Sequence, residues 1–91
     1  MDELDDAIQR WTERLFLAKE LLPSDPPTSV QWERGVVAEI ENTLHREPEG
    51  RARLRTALIR AREALKAGET VCQAFQQQAR ARNEAFHRRA S

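Results

Sequence analysis

The feature that most constrains this chain is a run of mostly apolar residues at alternating steps of four and three along its C-terminal half. Its members are Leu54, Leu58, Ala61, Leu65, Gly68, Cys72, Phe75, Ala79, Arg82 and Phe86. This spacing holds one face of an α-helix towards a neighbour over many turns, as in coiled coils, whereas a half-buried strand would alternate with period two. The sequence therefore predicts one long helix over about residues 51–88.

Gly68 lies inside this run and decides between two architectures. A helix that ended at the glycine would usually resume in a different phase, yet the spacing agrees on both sides of it. We therefore interpret Gly68 as a small residue within a continuous helix, although glycine in a helix interior costs about 1 kcal/mol relative to alanine. Close approach of another helix would offset this cost. The alternative is a break at Gly68, which would make the C-terminal half a hairpin.

Two shorter helices are predicted before the long one. The first covers residues 2–22 and ends at Pro23. We call the stripe of apolar residues at steps of four and three the seam of a helix; in the first helix it consists of Leu4, Ile8, Trp11, Leu15, Ala18 and Leu22. The second covers residues 29–45, because Thr28 and Gln31 have the spacing of a capping box after a proline-rich linker. Its seam consists of Val30, Val37, Ile40 and Leu44, with Glu33 as a polar interruption. Pro48 fits the first turn of the third helix.

The composition agrees with a single small all-α domain over residues 1–91. Hydrophobic residues make up 40% of the chain and charged residues 33%, which is too apolar for a disordered chain and too charged for a large dry core. The expected fold is a three-helix bundle or helical hairpin with a long C-terminal helix and coiled-coil-like packing. A single cysteine, an acidic N-terminus and the lack of a long apolar run favour a cytoplasmic location.

No residue pattern indicates catalysis or a bound cofactor. Cys72 lies on the seam as a small apolar residue, and the two histidines, His45 and His87, lack the close partners of a metal site. The sequence has neither a phosphate-binding glycine loop nor a nucleophile elbow. We therefore expect a protein that is not an enzyme, with no cofactor, metal, small-molecule substrate or membrane contact.

Charge is distributed unevenly along the chain. Residues 1–50 carry a net charge of −7 and residues 51–91 a net charge of +7. Either the two halves attract each other within the fold, or one half faces a charged partner. An alternative function follows from the second case, namely nucleic-acid binding by the arginines of the C-terminal helix. The candidates are Arg80, Arg82, Arg88 and Arg89.

Apolar residues beyond the expected bundle core are the better indication of function. A three-helix core would absorb several of them if its apolar stripe were wide; otherwise they form exposed patches, which usually mark interfaces. In the second case two sets are candidates for protein-binding surfaces. The first set is Phe16, Leu17, Trp32 and Val36, which lie off the seams of the first two helices. The second set is Phe75, Ala79 and Phe86, near the end of the third helix, where a second subunit or another protein would cover them.

The runs "WERGVVAEIENTL" (32–44) and "LRTALIRAREALKAGETVCQAF" (54–75) resemble the small helical export chaperones of flagellar and type III secretion systems. The resemblance implies a short cytoplasmic helical bundle that holds a partner on an apolar helical groove. We therefore expect a bacterial protein-binding module, a chaperone or adaptor, with a dimer as the minimum assembly. An antitoxin or inhibitor that covers another protein is a further alternative.

Overall fold

The computed structural model describes the backbone of residues 2–47 and 49–90, and the side chains as far as residue 85. These residues form helix α1 (Glu3–Leu21), helix α2 (Pro26–Arg46) and helix α3 (Arg51–Ala90), with no strand among them. The all-α fold with a long C-terminal helix is therefore confirmed. Helix α3 runs through Gly68 without interruption, as its phase predicted.

The start of α2 corrects one expectation. The helix begins at Pro26 rather than residue 29, and its N-cap is Asp25 rather than Thr28. The Asp25 carboxylate accepts hydrogen bonds from the backbone N–H of Thr28 at 3.3 Å and from its hydroxyl at 2.7 Å. Prolines are tolerated in a first helical turn because its N–H groups have no partner within the helix. The proline-rich stretch therefore begins the helix instead of delaying it.

The other two helices begin at well-defined caps. Asp2 caps α1 by accepting the N–H of Asp5 at 2.8 Å, and this hydrogen bond, together with the Arg53 guanidinium, lowers the pKa of Asp2. Gly50 precedes α3 with a φ of +77°, a conformation that side chains other than glycine rarely adopt. A Cβ at Gly50 would also collide with the Leu4 side chain, so this turn requires glycine. Pro48 lies outside the described residues.

The second helix lies between the other two and contacts both of them. The buried cluster at the centre consists of Trp11, Val36, Val37, Ile40, Leu54, Leu58 and Ala61. The Ser29 hydroxyl donates a buried hydrogen bond to the Ala18 carbonyl at 2.6 Å, so α1 and α2 approach closely there. Burial of the apolar side chains is the main stabilising contribution to the bundle.

Exposed ion pairs join the helices at their surface. Arg53 of α3 pairs with Asp2 and Asp5 at the start of α1, and Arg62 of α3 pairs with Glu41 of α2. These pairs connect the basic second half of the sequence to the acidic first half. Because each pair is solvent-exposed, its contribution to stability is small, so the pairs set alignment more than stability.

Helix α3 is about twice as long as its neighbours. The molecule measures 62 × 21 × 15 Å, and a helix of this length spans about 60 Å at 1.5 Å per residue. Helices α1 and α2 lie beside the first half of α3 rather than end to end along it, as the ion pairs of Asp5 and Glu41 show. The second half of α3 therefore continues past the bundle.

Candidate partner-binding surface

The part of α3 that leaves the bundle is a helical surface without an intramolecular partner helix. We call residues 73–90 the α3 extension; every described side chain in it, from residue 73 to residue 85, is exposed. The start of α2 still borders the first turn of the extension, where Pro27 and Gln31 line one concavity with Gln73 and Gln76. The bundle ends there because α1 stops at Leu21 and α2 starts at Pro26. The extension is thus a helix supported only at its bundle end.

The seam of α3 changes from buried to exposed along its length. Leu54, Leu58 and Ala61 are buried beneath α1 and α2, whereas Phe75, in the same four-three phase, is 47% exposed. Ala79 and Arg82 follow on the seam and are also exposed. The helix therefore presents to solvent the same face that packs against its neighbours inside the bundle.

A second stripe of small apolar residues runs beside this seam, and the sequence analysis missed it. Every member described here is exposed except Ala64, which is half-buried. The stripe recurs at steps of three and four, and Gln78 is its one polar position between residues 64 and 85. The spacing could have revealed it, but alanine is common in any helix and so hid the pattern. We call it the alanine stripe; its members are Ala64, Ala67, Val71, Ala74, Ala81 and Ala85.

The seam residues of the extension form one defined binding face. At 3.6 residues per turn, Phe75, Ala79 and Arg82 fall within a sector of about 60°. We call these three residues the extension face. Gln78, the polar position of the alanine stripe, borders this face, since it lies about 40° from Arg82 around the helix. Small residues beside the face would allow another helix to approach towards the short end of the usual interaxial range of about 8–10 Å.

The opposite side of the extension is entirely polar as far as residue 85. By the same angular count it carries no apolar residue, and its width of about 120° is filled by amides and charges. Its members are Gln73, Gln76, Gln77, Arg80, Asn83 and Glu84. The extension is therefore amphipathic, with a side suited to water and a side suited to packing.

Gly68 marks the last closely packed layer before the extension. A Cβ at this position would collide with the Glu33 carboxylate and would lie 3.4 Å from Cγ2 of Val30. Helix α2 therefore lies directly against α3 at the glycine, which is the close approach expected from the sequence. The regular phase of the seam through this layer reflects direct helix–helix packing.

Glu33, the polar residue within the seam of α2, is a buried carboxyl group. The residue is only 3% exposed, and among the described residues its Oε1 atom has no hydrogen-bond partner. Burial raises the pKa of Glu33, and the negative charge of nearby Glu69 raises it further. Arg34 pairs with Glu69 at 3.7 Å. The seam thus contains a buried carboxyl group whose neutral form is favoured by its surroundings.

Of the four residues in the first predicted protein-binding surface, three are exposed and one is buried. Phe16 and Leu17 are more than half exposed and Trp32 is 44% exposed, but Val36 is completely buried. The expectation of Val36 at a partner surface was therefore wrong. Because α2 packs against both α1 and α3, its buried stripe is wide enough to include Val36 in the core cluster. Phe16, Leu17 and Trp32 remain on the surface.

The predicted arginine surface is described only in part. Arg80 and Arg82 are exposed, and since they are two residues apart they point about 200° away from each other around the helix. Arg82 therefore lies on the extension face, whereas Arg80 lies on the opposite side. The side chains of the other candidates lie outside the described part of the chain, namely Phe86 of the apolar set and Arg88 and Arg89 of the basic set.

A groove between α1 and α3 is a separate concavity within the bundle. It has a volume of about 350 Å³ and is lined mainly by Ile8, Trp11, Leu15, Ile40 and Ala57, with Arg53 and Arg60 at its edge. The indole N–H of Trp11 donates to Glu39 at 3.2 Å, which fixes the orientation of the ring. The groove lies beside the half of α3 that is inside the bundle, away from the extension.

The remaining candidates have ordinary structural environments. Cys72 is half-buried beside the last layer of the bundle, and His45 lies in the final turn of α2. Within the described residues, no group of three histidine, cysteine or acidic side chains is placed to hold a metal ion. None of the helices there combines the length and apolar character needed to cross a bilayer.

Comparison of the chain with protein-family models, with curated proteins and with solved structures finds no match.

Proposed function

We propose that this chain is a non-enzymatic protein-binding module, a small chaperone or adaptor, that binds a partner through the α3 extension. The observation that carries the proposal is the exposure of Phe75 in the same phase as the buried seam residues Leu54, Leu58 and Ala61. An apolar face that continues past its intramolecular partners is suited to an intermolecular one.

The isolated extension has little to stabilise it as a free helix. A helical segment without tertiary contacts has limited stability in water, because most helical stability in proteins comes from packing an apolar face. Binding a second helix along the extension face and the alanine stripe would supply that packing. This is the helix-on-helix mode of recognition, in which apolar residues at positions i, i+3, i+4 and i+7 supply most of the affinity.

A cytoplasmic setting belongs to the same proposal. The chain has one cysteine, Cys72, and so makes no internal disulfide. The resemblance to export chaperones fits this setting, since those proteins hold their substrates before export.

Nucleic-acid binding is the second candidate, and the net charge of +7 on residues 51–91 favours it. Against it, Arg53 and Arg62 are engaged with carboxylates of the first half, and Arg80 and Arg82 face opposite sides of the helix. A phosphate backbone would contact only one of these sides. A polyanion bound at Arg82 would also leave the neighbouring apolar residues of the extension exposed to water.

The test is capture of binding partners from an extract of the cells that carry the gene, with full-length protein and two variants. Phe75→Glu puts a charge on the extension face, and Gln77→Glu puts the same charge on the opposite side. We expect one or more proteins to be retained by the wild type and by Gln77→Glu at both low and moderate salt, and lost with Phe75→Glu.

Salt separates the two candidate functions. Binding through phosphates falls by orders of magnitude between about 50 mM and 200 mM salt, whereas binding through apolar contacts does not. Retention of nucleic acid that is lost with Arg80→Glu and unaffected by Phe75→Glu would contradict the proposal. Circular dichroism of each variant checks that the helices remain formed.

A further inference from the structure

Arg82 gives the extension face a chemical preference. It is an exposed residue at a seam position, so a helix packed along Phe75 and Ala79 would remove its guanidinium from water. A charge desolvated in this way needs a hydrogen-bonded counter-charge, and a carboxylate matches the planar guanidinium with two parallel hydrogen bonds. An acidic group opposite Arg82 is therefore the feature of an occupant that best matches this face.

Gln78 strengthens the same preference. It lies one turn before Arg82, beside the extension face, and it is exposed. Its side-chain amide has two N–H donors, and a carboxylate has about four lone-pair positions that accept hydrogen bonds. An acidic side chain opposite Arg82 would therefore have a second donor within one helical turn.

A second copy of the α3 extension does not supply the acidic group. If two extensions packed seam against seam, the residue opposite Arg82 would come from the partner copy's own seam. Self-pairing would leave the guanidinium near another arginine or near the uncharged amide of Gln78, which does not neutralise it. None of the seam positions in this part of the sequence is acidic; they hold Cys72, Phe75, Ala79, Arg82, Phe86 and Arg89.

The acidic residue within the extension does not change this conclusion. Glu84 is the one acidic residue in segment 73–90 of the sequence, and it lies two residues beyond Arg82. This spacing puts Glu84 about 200° around the helix, on the side away from the extension face. In a symmetric pair it would face solvent rather than the Arg82 of the other copy.

From this charge pattern we infer that the extension face binds an amphipathic helix of a different protein, with an aspartate or glutamate facing Arg82 and apolar residues facing Phe75 and Ala79. This inference rests on the proposed function and specifies its partner. It departs from the expectation of a dimer paired through its extensions, because the Arg82 charge distinguishes an acidic helix from a second α3 extension.

The experiment uses two fluorescein-labelled helical peptides of about three heptads, with leucine at the seam positions. They differ only at the central seam position, which is glutamate in the Glu probe and lysine in the Lys probe. Binding of each probe to the full-length protein is measured by fluorescence anisotropy at about 0.15 M salt, where exposed charges more than about 8 Å apart are largely screened. The protein variants are Arg82→Glu, its matched control Arg80→Glu, and Phe75→Glu.

The wild type is expected to bind the Glu probe about tenfold or more tightly than the Lys probe, since a charge-assisted hydrogen bond replaces a like-charge contact. Arg82→Glu is expected to reverse this preference, and Arg80→Glu, which makes the same charge change on the opposite side, is expected to retain it. Phe75→Glu is expected to weaken both probes. Because these side chains are exposed, the variants keep the bundle core, which circular dichroism and the melting temperature verify.

Several results would overturn the inference, and they distinguish it from the proposed function. Equal binding of both probes, lost in Phe75→Glu, would retain the protein-binding face and reject the acidic partner. A dimer seen by light scattering and abolished by Phe75→Glu would show that a second copy occupies the face. Displacement of the Glu probe by a DNA duplex from the wild type and from Arg80→Glu alike would assign Arg82 to phosphate. Failure of the Glu probe to bind at all would reject the acidic helix.

Discussion

Substitution of Gly68 by alanine tests the packing on which the extended architecture depends. In an unobstructed helix interior this change stabilises a protein by about 1 kcal/mol, because alanine is the better helix former. Here the new methyl group would collide with the Glu33 carboxylate and would touch Val30. Glu33 is only 3% exposed, so its carboxyl group has little room to move aside. Overpacking in a buried layer costs about 1–3 kcal/mol, so Gly68→Ala is expected to lower the free energy of unfolding by up to about 2 kcal/mol.

A double-mutant cycle isolates the contact. Glu33→Ala removes the obstructing carboxylate, so in that background Gly68→Ala should recover the helix-propensity gain of about 1 kcal/mol. The resulting coupling between the two positions is then about 1–3 kcal/mol, within the range for residues in contact. Gly35→Ala is the matched control, since its nearest neighbour would be Arg14 Nη2 at an ordinary 3.6 Å, and this change should stabilise the protein.

Urea unfolding followed by circular dichroism measures all of these free energies. If Gly68→Ala stabilises the protein as much as Gly35→Ala, in the presence and in the absence of Glu33, then α2 does not approach α3 closely at Gly68. Close packing of α2 on α3 would then not explain why the seam of α3 continues through Gly68.

Three further predictions follow from the same structure. Glu33→Met should raise the free energy of unfolding by about 1–3 kcal/mol at pH 7, because it removes a buried acceptor without a partner. Since the pKa of Glu33 is raised, the free energy of unfolding of the wild type should fall as pH rises from the ordinary glutamate pKa of about 4.3 through the raised value. Urea unfolding at a series of pH values should show that the free energy of unfolding of Glu33→Met changes less over this range. Ile40→Ala should lower the free energy of unfolding by about 2–5 kcal/mol, because Ile40 is completely buried. Phe75→Ala should lower it by less than about 1 kcal/mol, because Phe75 lies beyond the core. Equal losses of stability in thermal melts would place Phe75 inside the bundle. Small-angle X-ray scattering of the dilute protein should give a radius of gyration near 17.4 Å, and a value near the roughly 12 Å of a compact chain of this length would mean that α3 folds back.

The phase of the apolar residues was enough to predict most of the architecture. Helices α1 and α3 begin and end within about two residues of their predicted bounds, because a four-three seam is a property of local sequence. The continuity of α3 through Gly68 followed from the same phase. The start of α2 did not, since a capping aspartate followed by two prolines looks like a linker until the backbone shows that they form the first turn.

Properties that depend on how many helices surround an element could not be predicted from that element alone. Val36 is buried because α2 packs against two neighbours, which widens its buried stripe beyond one seam. The burial of Glu33 depends on Gly68, which lies far along the chain and leaves room for its carboxyl group. The exposure of Phe75 follows from where α1 ends and α2 begins, not from any residue next to it.

Hydrogen exchange of backbone amides along α3 tests the central claim most directly, because it reports which part of the helix is supported by packing. The free protein is expected to protect amides between Leu54 and Gly68 and to exchange rapidly between residues 76 and 85. The Glu probe is expected to slow exchange in that second segment and to leave the first unchanged. Strong protection of residues 76–85 in the free protein, or no change on adding the probe, would contradict the assignment of the α3 extension as the binding surface.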